Sequence, residues 1–334
     1  MTLPEDPATG HTHLGATAPR ATDEPLRLRL HGITYAATDI NLYEFRSPAG
    51  AQQLPAFTAG AHVDLHLPNG MTRQYSLCNP QDERHRYVVA VKKDALGRGG
   101  SRCVHEQLRV GMLVPVGAPR NNFPLHEQAA HSVLIAGGIG ITPIACMVSR
   151  LREQALSWEL HYSVRGRLDA ALLDELGTQH VHLHIDEERG GALLDIAGIV
   201  NQAPADAHLY CCGPAPMLDA FESAAAGRAP ERVHVERFSA AKVAGGGAFF
   251  VELAKSGRRV FVGPDESIAD ALRAQGVDVQ TSCEQGICGT CETRVLAGRP
   301  EHRDELLSEG EKAANDVMMI CCSRSKDDVL VLDL

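Results

Sequence analysis

The chain has 334 residues, 44% of them hydrophobic and 22% charged, which suits two or three globular domains of roughly 100–200 residues each. The formal net charge of −10 argues against a general nucleic-acid or anionic-membrane binder. The sequence has no uninterrupted apolar run of about 18 residues, the length of a membrane span. Because Met1 to Arg20 also has no apolar signal-peptide centre, we expect a cytoplasmic protein.

The N-terminal part of the chain is predicted to be a tail followed by a β-barrel. Residues 1–25 are rich in Pro, Thr, Ala and His, a composition typical of a disordered segment. From 26 to 128, apolar residues alternate in several short runs, and Pro68-Asn-Gly70 is a turn signal. Short strands at this spacing predict an antiparallel barrel.

Residues 129–238 change to buried strands that alternate with amphipathic helices. Ser132 to Ala136 is a short apolar run, and Pro143 is expected to open a helix with apolar residues at helical spacing. Further strands are predicted at Trp158–Val164, Val181–Ile185 and Ala207–Cys211. The pattern predicts an α/β domain with crossover helices and a parallel sheet.

The last part of the chain follows a glycine-rich segment. Residues 239–247 contain three consecutive glycines and no periodicity, so they are predicted to be an interdomain linker. In residues 248–334, Lys255-Ser-Gly257 separates two apolar runs as in a hairpin. Ser267 is predicted to cap a short helix that ends near Gly276.

Five of the ten cysteines lie between Cys283 and Cys322. Cys283-x4-Cys288-x2-Cys291, followed by Cys321 after 29 intervening residues, matches the plant-type two-iron two-sulfur spacing. A zinc knot is the alternative, although structural zinc usually takes two pairs of closely spaced ligands. Cys322 would point to the opposite face if its segment were extended, so ligation is assigned to Cys321.

A glycine-rich turn between a strand and a helix is the second motif. In Ile135 to Pro143, glycines would allow close backbone approach to a pyrophosphate, and the helix N-terminus would offer free amide groups. Pro143 stands where the usual dinucleotide fingerprint has a third glycine or alanine. A tight structural βα turn is the alternative interpretation.

The third motif combines Arg73-Gln-Tyr-Ser76 with Gly97-Arg-Gly-Gly-Ser101. An arginine, a hydroxyl and amides beside glycines can hold a phosphate, and a phenol can pack on a planar ring. Taken singly, each segment is also compatible with ordinary surface and turn chemistry.

These motifs, in this order and together with Cys211-Cys-Gly-Pro214 and the C-terminal Leu330-Val-Leu-Asp-Leu334, resemble the reductases of phthalate dioxygenase and vanillate demethylase systems. The resemblance covers about residues 26 to 334. It implies three domains: an FMN-binding barrel, a pyridine-nucleotide domain, and an α+β ferredoxin of the β-grasp type.

The resemblance also implies a role for individual residues. FMN would be bound by Arg73, Tyr75, Ser76, Ala90, Val91, Lys92, Gly99, Gly100 and Ser101. Thr142 would reach the flavin, Phe238 would cover its ring, and the NAD site would be lined by Gly138, Gly140, Cys212, Gly213 and Pro214. Thr142, Cys212 and Phe238 are therefore the expected catalytic residues, and Cys283, Cys288, Cys291 and Cys321 the expected cluster ligands.

The function expected from these cofactors is electron transfer. NADH gives up two electrons as a hydride, whereas a cluster accepts one, so FMN must stand between them. A plant-type cluster near about −400 mV would reduce a Rieske centre near about −150 mV downhill. We therefore expect a reductase that serves a Rieske non-haem iron oxygenase; a P450-type acceptor and a redox-sensor role are the alternatives. The family resemblance implies a monomer.

Two features leave details open. Arg165 and Arg167 follow a predicted strand, and arginine near the adenosine ribose favours NADPH, whereas similar reductases mostly use NADH, which is our expectation. His180, His182 and His184 alternate along another predicted strand, where a polar solvent-facing side is expected rather than a metal site.

Overall fold

The computed structural model describes residues 24–50, 52–95, 97, 99–238, 246–281, 284, 286, 289–304 and 306–334. The predicted tail up to residue 23 and most of the predicted linker, residues 239–245, lie outside the described residues. In the described ranges, no helix has the length and hydropathy that a membrane span requires.

The first sheet has six antiparallel strands in the order β4-β3-β6-β1-β2-β5. A bridge between Leu77, just after β4, and Val89 of β5 brings the two ends of this order together. Gly99, with a φ of 95°, precedes the helix of this unit. The elements are β1 Leu26–Ala37, β2 Ile40–Arg46, β3 His62–His66, β4 Thr72–Ser76, β5 Tyr87–Lys92, α1 Gly100–Gln107 and β6 Leu113–Val116.

The second sheet is parallel, as expected, in the order β11-β10-β7-β8-β9. The helix expected to open at Pro143 begins two residues earlier, because a 3₁₀ turn at Gly138–Gly140 leads directly into it. A proline is tolerated there, since its position lies in the first helical turn. The elements are β7 Ser132–Gly137, α2 Ile141–Glu153, β8 Trp158–Val164, α3 Leu173–Leu176, β9 Val181–Ile185, α4 Ile196–Gln202, β10 His208–Cys212, α5 Ala215–Ala225 and β11 Val233–Glu236.

The third sheet has the order β13-β12-β18-β14-β16 and mixes parallel and antiparallel pairs. The predicted cap is confirmed, since the Ser267 hydroxyl accepts a hydrogen bond from the Asp270 amide at 3.0 Å. The elements are β12 Phe249–Leu253, β13 Arg258–Val262, α6 Ile268–Ala274, β14 Glu292–Ala297, β15 Pro300–Glu301, α7 Glu309–Ala314, β16 Val317–Met319, β17 Arg324–Ser325 and β18 Val329–Leu332.

Three hydrophobic clusters hold these sheets. The largest is continuous from the interior of the first sheet, such as Leu65, to the α2 side of the second sheet, such as Leu160. Val133 and Phe221 belong to a second cluster on the opposite face of the second sheet. The third sheet packs around its own cluster, which includes Leu330. The first two units therefore share apolar packing, whereas the third has a separate core.

Candidate functional site

A cleft of about 600 Å³ lies where the three units meet. Most of its lining comes from the first sheet and the following loops, and the second unit supplies Ile139 from the 3₁₀ turn, Thr142 from α2 and Glu236 from β11. Leu306 comes from the third unit. Of the expected flavin-binding residues, the cleft is lined by Arg73, Tyr75, Ser76, Ala90, Lys92, Gly100, Ser101, Thr142 and Phe238.

One corner of the cleft has the geometry of an anion site. A Cβ atom added to Gly100 would lie 2.7 Å from Arg73 Nε, so the guanidinium lies directly against the start of α1. Gly99 precedes this helix in the left-handed region, which a residue with a side chain adopts only with strain. Amide groups at a helix N-terminus and a guanidinium together suit a phosphate, so this corner fits the phosphate of FMN.

Strand β5 forms part of the cleft wall, and its alternate residues face opposite sides of that wall. Ala90 and Lys92 line it, whereas the Val91 side chain is buried in the core on the other side. The Val91 carbonyl accepts a hydrogen bond from His105 Nε2 at 2.8 Å. Burial raises the pKa of Tyr75, which keeps its phenol neutral and suited to packing against a planar ring.

On the nucleotide side, the glycine turn packs tightly on the end of β10. A Cβ atom added to Gly140 would lie 2.2 Å from the Cys212 carbonyl oxygen, and one on Gly213 would lie 2.7 Å from Met217 Sδ. Around Gly138, in contrast, no atom of the described residues beyond its two chain neighbours lies within 4 Å of an added Cβ. The Thr142 hydroxyl donates to the Ile139 carbonyl at 3.1 Å. The turn is thus closed towards the Cys212–Pro214 loop and open at Gly138.

A carboxyl group that the sequence interpretation missed lies beside Thr142 in the cleft. Glu236 Oε2 is 3.9 Å from Cys212 Sγ, and the Glu236 carboxyl also hydrogen-bonds with the Ser76 side chain. Burial raises the pKa of Glu236 to about 8 and that of the Cys212 thiol well above 9. Both groups therefore hold their protons near pH 7. The signal was available in Val235-Glu-Arg-Phe238, an acidic residue beside the expected Phe238.

His62 is a second missed residue. It is 5% exposed, lines the cleft, and its Nε2 has no hydrogen-bond partner among the described residues. Burial, followed by the positive charge of Arg120, lowers the pKa of His62 to about 4, so the ring is neutral. An unsatisfied buried nitrogen is costly, and a polar ligand in the cleft would satisfy it.

Two of the expected cluster ligands lie in the third unit close to each other in the fold. Cys291 and Cys321 are 4% and 3% exposed, and the Ile320 amide donates to the Cys291 carbonyl. Cys283 and Cys288 lie outside the described residues. Gly286 has a φ of 71°, and an added Cβ there would lie 2.4 Å from Cys322 Sγ. The two buried thiols of Cys291 and Cys321, with Gly286 packed closely against neighbouring Cys322, fit a sulfur-ligated cluster.

The structure corrects the argument used to choose between Cys321 and Cys322. The two residues lie in a turn after β16 rather than in an extended strand, and their thiols hydrogen-bond to each other. Alternation along a strand therefore does not separate them. Cys322 Sγ also contacts the Met319 carbonyl oxygen at 3.7 Å, on the side of the chain that precedes the turn.

The segment around the expected cluster reaches the flavin side of the cleft. Arg73 Nη1 and Glu284 Oε2 are 3.0 Å apart, and Glu284 Oε1 lies 3.1 Å from Arg273 Nη1. Leu306 lines the cleft and would lie 3.2 Å from a Cβ on Gly289. The residue expected to hold the FMN phosphate thus contacts the residue next to Cys283.

The turns that follow β8 and β9, beside the expected adenosine site, carry an exposed charge pair. Arg167 Nε and Nη2 donate to the two carboxylate oxygens of Glu188 at 2.9 and 3.0 Å. This pairing reduces the positive charge that a ribose 2′-phosphate would need. It favours the NADH expectation over the NADPH alternative.

The site is that of a reductase with a nucleotide cleft, a flavin cleft and a ferredoxin unit. Residues 251–326 match a family model described as a 2Fe-2S iron-sulfur cluster binding domain. The chain is 53% identical to phenoxybenzoate dioxygenase subunit beta of Ectopseudomonas oleovorans, over 94% of this chain and 99% of that protein. It is 51% identical to tetrachlorobenzoquinone reductase of Sphingobium chlorophenolicum, over 90% and 96%.

A solved structure shows the same architecture. The chain resembles phthalate dioxygenase reductase, described as a modular structure for electron transfer from pyridine nucleotides to [2Fe-2S], with a TM-score of 0.76 and 38% identity. The match covers 93% of this chain and 98% of that one. The chain therefore belongs to the family of phthalate dioxygenase and vanillate O-demethylase reductases. It is an NADH-dependent oxidoreductase with FMN and a [2Fe-2S] cluster, and it serves an oxygenase.

Proposed function

We propose that this reductase delivers electrons singly to a Rieske-type oxygenase component, as a cytoplasmic monomer. The observation that carries the proposal is the contact between Arg73, at the phosphate corner, and Glu284, beside the first cluster cysteine. This contact brings the flavin cleft and the cluster loop together within one chain. Eight free, buried cysteines among the described residues also accord with a reducing compartment.

We propose the domain boundaries 26–128 for the flavin unit, 129–238 for the nucleotide unit and 248–334 for the ferredoxin unit. Arg73, with Gly99, Gly100 and Ser101, would hold the FMN phosphate at the start of α1. The flavin ring would contact Tyr75, Ser76, Ala90, Lys92, Thr142 and Phe238, with Val91 contributing backbone only.

The nucleotide would enter from the side of the glycine turn. Gly138 is the open position of that turn, while Gly140, Gly213 and Pro214 shape its floor. Cys212 and Glu236 remain protonated there, so no fixed negative charge opposes the approach of the nicotinamide. Phe238 lines the cleft, where it would cover the flavin ring and move aside for the nicotinamide to stack.

The cluster would be held by Cys283, Cys288, Cys291 and Cys321, with Gly286 and Gly289 allowing the backbone to wrap around it. When bound, FMN accepts the electron pair of a hydride and the cluster passes electrons one at a time. The ion pair of Arg73 with Glu284 would help to hold the two cofactors close, because it joins the residue beside Cys283 to the flavin unit.

The phosphate corner is tested by Arg73→Ala, which removes the guanidinium at the start of α1. We expect the dissociation constant for FMN, measured by fluorescence titration of the apoprotein, to rise at least about tenfold, since a charge-assisted hydrogen bond contributes roughly 1.5–3 kcal/mol. Arg27→Ala, which removes an exposed arginine from β1, is the matched control. An unchanged dissociation constant in Arg73→Ala would mean that the phosphate is held elsewhere.

The acceptor is tested by reconstitution with NADH and one purified acceptor at a time: a Rieske oxygenase, a P450, or tetrachlorobenzoquinone. The quinone is included because a 51% identical relative is named a tetrachlorobenzoquinone reductase. We expect coupled product formation with the Rieske component. Turnover with the quinone alone would replace the Rieske proposal with quinone reduction.

A further inference from the structure

A group of metal-ligating side chains lies on the second sheet, outside the cleft. Glu159 and His161 lie on β8, and His182 lies on the edge strand β9 directly opposite His161. Of the three alternating histidines, His182 is exposed, as expected, whereas His184 is 8% exposed and bonds to the Ala192 carbonyl oxygen. The imidazole that His182 contacts is therefore that of His161 on the adjacent strand, and not that of another histidine on β9.

The three side chains converge on one point. Glu159 Oε2 lies 3.6 Å from His161 Nε2 and 3.9 Å from His182 Nε2, and one ligand atom of each residue lies within 4.8 Å of the others. The two imidazole rings stack at 4.8 Å with an interplanar angle of 20°. Metal–ligand bonds of about 2.0–2.2 Å in a tetrahedron place ligand atoms roughly 3.3–3.6 Å apart, so the three ligand atoms draw closer on binding and the two imidazole rings turn out of their stack to point their nitrogens at one ion.

The hydrogen-bonding state of the group also favours an ion. His161 Nε2 is buried and has no hydrogen-bond partner among the described residues. In the part of the chain that the structure describes, the basic groups within 4 Å of the Glu159 carboxylate are imidazoles only, and His161 Nε2 lies at 3.6 Å from it, beyond hydrogen-bond distance. His131 Nε2 faces the other carboxylate oxygen at 3.9 Å, and His131 Nδ1 bonds to Ser157 Oγ at 2.8 Å. His131 thus lies beside the carboxylate but outside the group of three side chains.

We propose that Glu159, His161 and His182 bind a divalent transition-metal ion of the zinc type. Two imidazole nitrogens and one carboxylate oxygen form a ligand set common in zinc sites, and exposed His182 leaves a fourth position open to water. The ion would tie the edge strand β9 to β8. None of the three residues lines the flavin cleft, so this site is separate from the electron-transfer route.

The proposal is tested by unfolding the holoprotein in the presence of Zn²⁺. Trp158, the only tryptophan, directly precedes Glu159 on β8, so its fluorescence reports the unfolding of this sheet. An ion that binds the folded sheet raises the unfolding midpoint with the logarithm of its concentration. We expect this rise in the wild type and in His31→Ala, which removes an exposed histidine from β1, and its loss in Glu159→Gln and His182→Ala.

Equilibrium dialysis of the same four proteins counts the bound zinc. Glu159→Gln and His182→Ala should each bind one zinc fewer than the wild type and His31→Ala. All four should keep equal NADH–ferricyanide turnover, which shows that the variants are folded. An equal zinc-dependent rise in all four proteins, or no rise in the wild type, would overturn the proposal, because zinc would then be bound elsewhere or not at all.

Discussion

The first two sheets are joined to each other in a different way from that in which the third sheet is joined to them. The first and second sheets share one continuous apolar cluster, which holds them in a fixed relation. The third sheet is built around its own cluster, and the described contacts at the cleft are the ion pair of Arg73 with Glu284 and the side chain of Leu306.

This difference follows the demands of the two transfer steps. Hydride transfer needs reacting atoms within about 3–3.5 Å, so the flavin and nucleotide units must be held rigidly together. A single electron passes without covalent contact, so the third unit does not need a shared core. A polar contact at the interface also leaves the ferredoxin surface free to meet a partner.

The largest effect is expected from Cys291→Ser, which should abolish electron transfer through the third unit and leave the flavin and nucleotide units unchanged. Cys291 is buried, and its loss removes a cluster ligand. NADH–cytochrome c reduction through the cluster should be abolished, while ferricyanide reduction by the flavin stays within about twofold. Cys322→Ser is the matched control, because it removes the neighbouring thiol. If Cys322→Ser lost the cluster and Cys321→Ser kept it, the fourth ligand would be Cys322.

A core substitution in each region tests the separate packing. Leu330→Ala in the third unit and Leu65→Ala in the shared cluster both create cavities at fully buried positions and should each cost about 2–5 kcal/mol. In Leu330→Ala, only the thermal transition followed by the cluster absorbance should shift to a lower midpoint temperature. In Leu65→Ala, the transitions followed by FMN release and by Trp158 fluorescence should both shift to lower midpoint temperatures. A single shared transition in both variants would contradict two independent cores.

The buried carboxyl of the shared region gives a pH dependence. Glu236 has a pKa of about 8 in the folded protein and near 4.5 in an exposed chain, so the folded state binds more protons between these values. The free energy of unfolding is therefore not reduced by Glu236 below about pH 4.5. It falls as the pH rises above that value through 8, because ionisation of the buried carboxyl is favoured in the unfolded chain. At about 1.4 kcal/mol per pKa unit, the effect is a few kcal/mol at most.

Glu236→Gln should flatten this decrease, measured as the FMN-release midpoint between pH 5 and 9. We also expect NADH-driven flavin reduction to slow above about pH 8 in the wild type, because an ionised carboxylate opposes the arrival of a hydride nearby. The Gln variant should not slow in that range. Identical pH profiles in both proteins would remove Glu236 from this role.

The smallest effect is expected at the expected adenosine site of the second unit, where a substitution should change the preference between NADPH and NADH. Glu188→Ala frees Arg167 from its carboxylate partner. The ratio of NADPH to NADH efficiency should rise about fivefold, since an exposed charge pair contributes up to about 1 kcal/mol. Glu187→Ala is the control, because the described residues show no ion pair between Glu187 and Arg167. An unchanged ratio in Glu188→Ala would place the ribose away from Arg167.

The local part of this molecule was predictable from sequence. Apolar periodicity predicted β7, β8 and β9, and Ser267 marked the start of α6, because strand pairing and helix capping depend on residues close in the chain. Cysteine spacing indicated the cluster because three of its four expected ligands lie within nine residues of the chain. Arg73 and Gly100, which were predicted to hold a phosphate, belong to short, recognisable segments, and the structure places them side by side.

The remaining features depended on packing between distant segments. The Glu236–Cys212 contact joins β11 to β10, the Arg73–Glu284 pair spans the first and third units, and His161 meets His182 only across two parallel strands. Sequence periodicity carries no information about which side chains of separate elements come within a few ångströms. Burial then sets the protonation of Glu236, because desolvation is a property of the assembled fold and not of the residue.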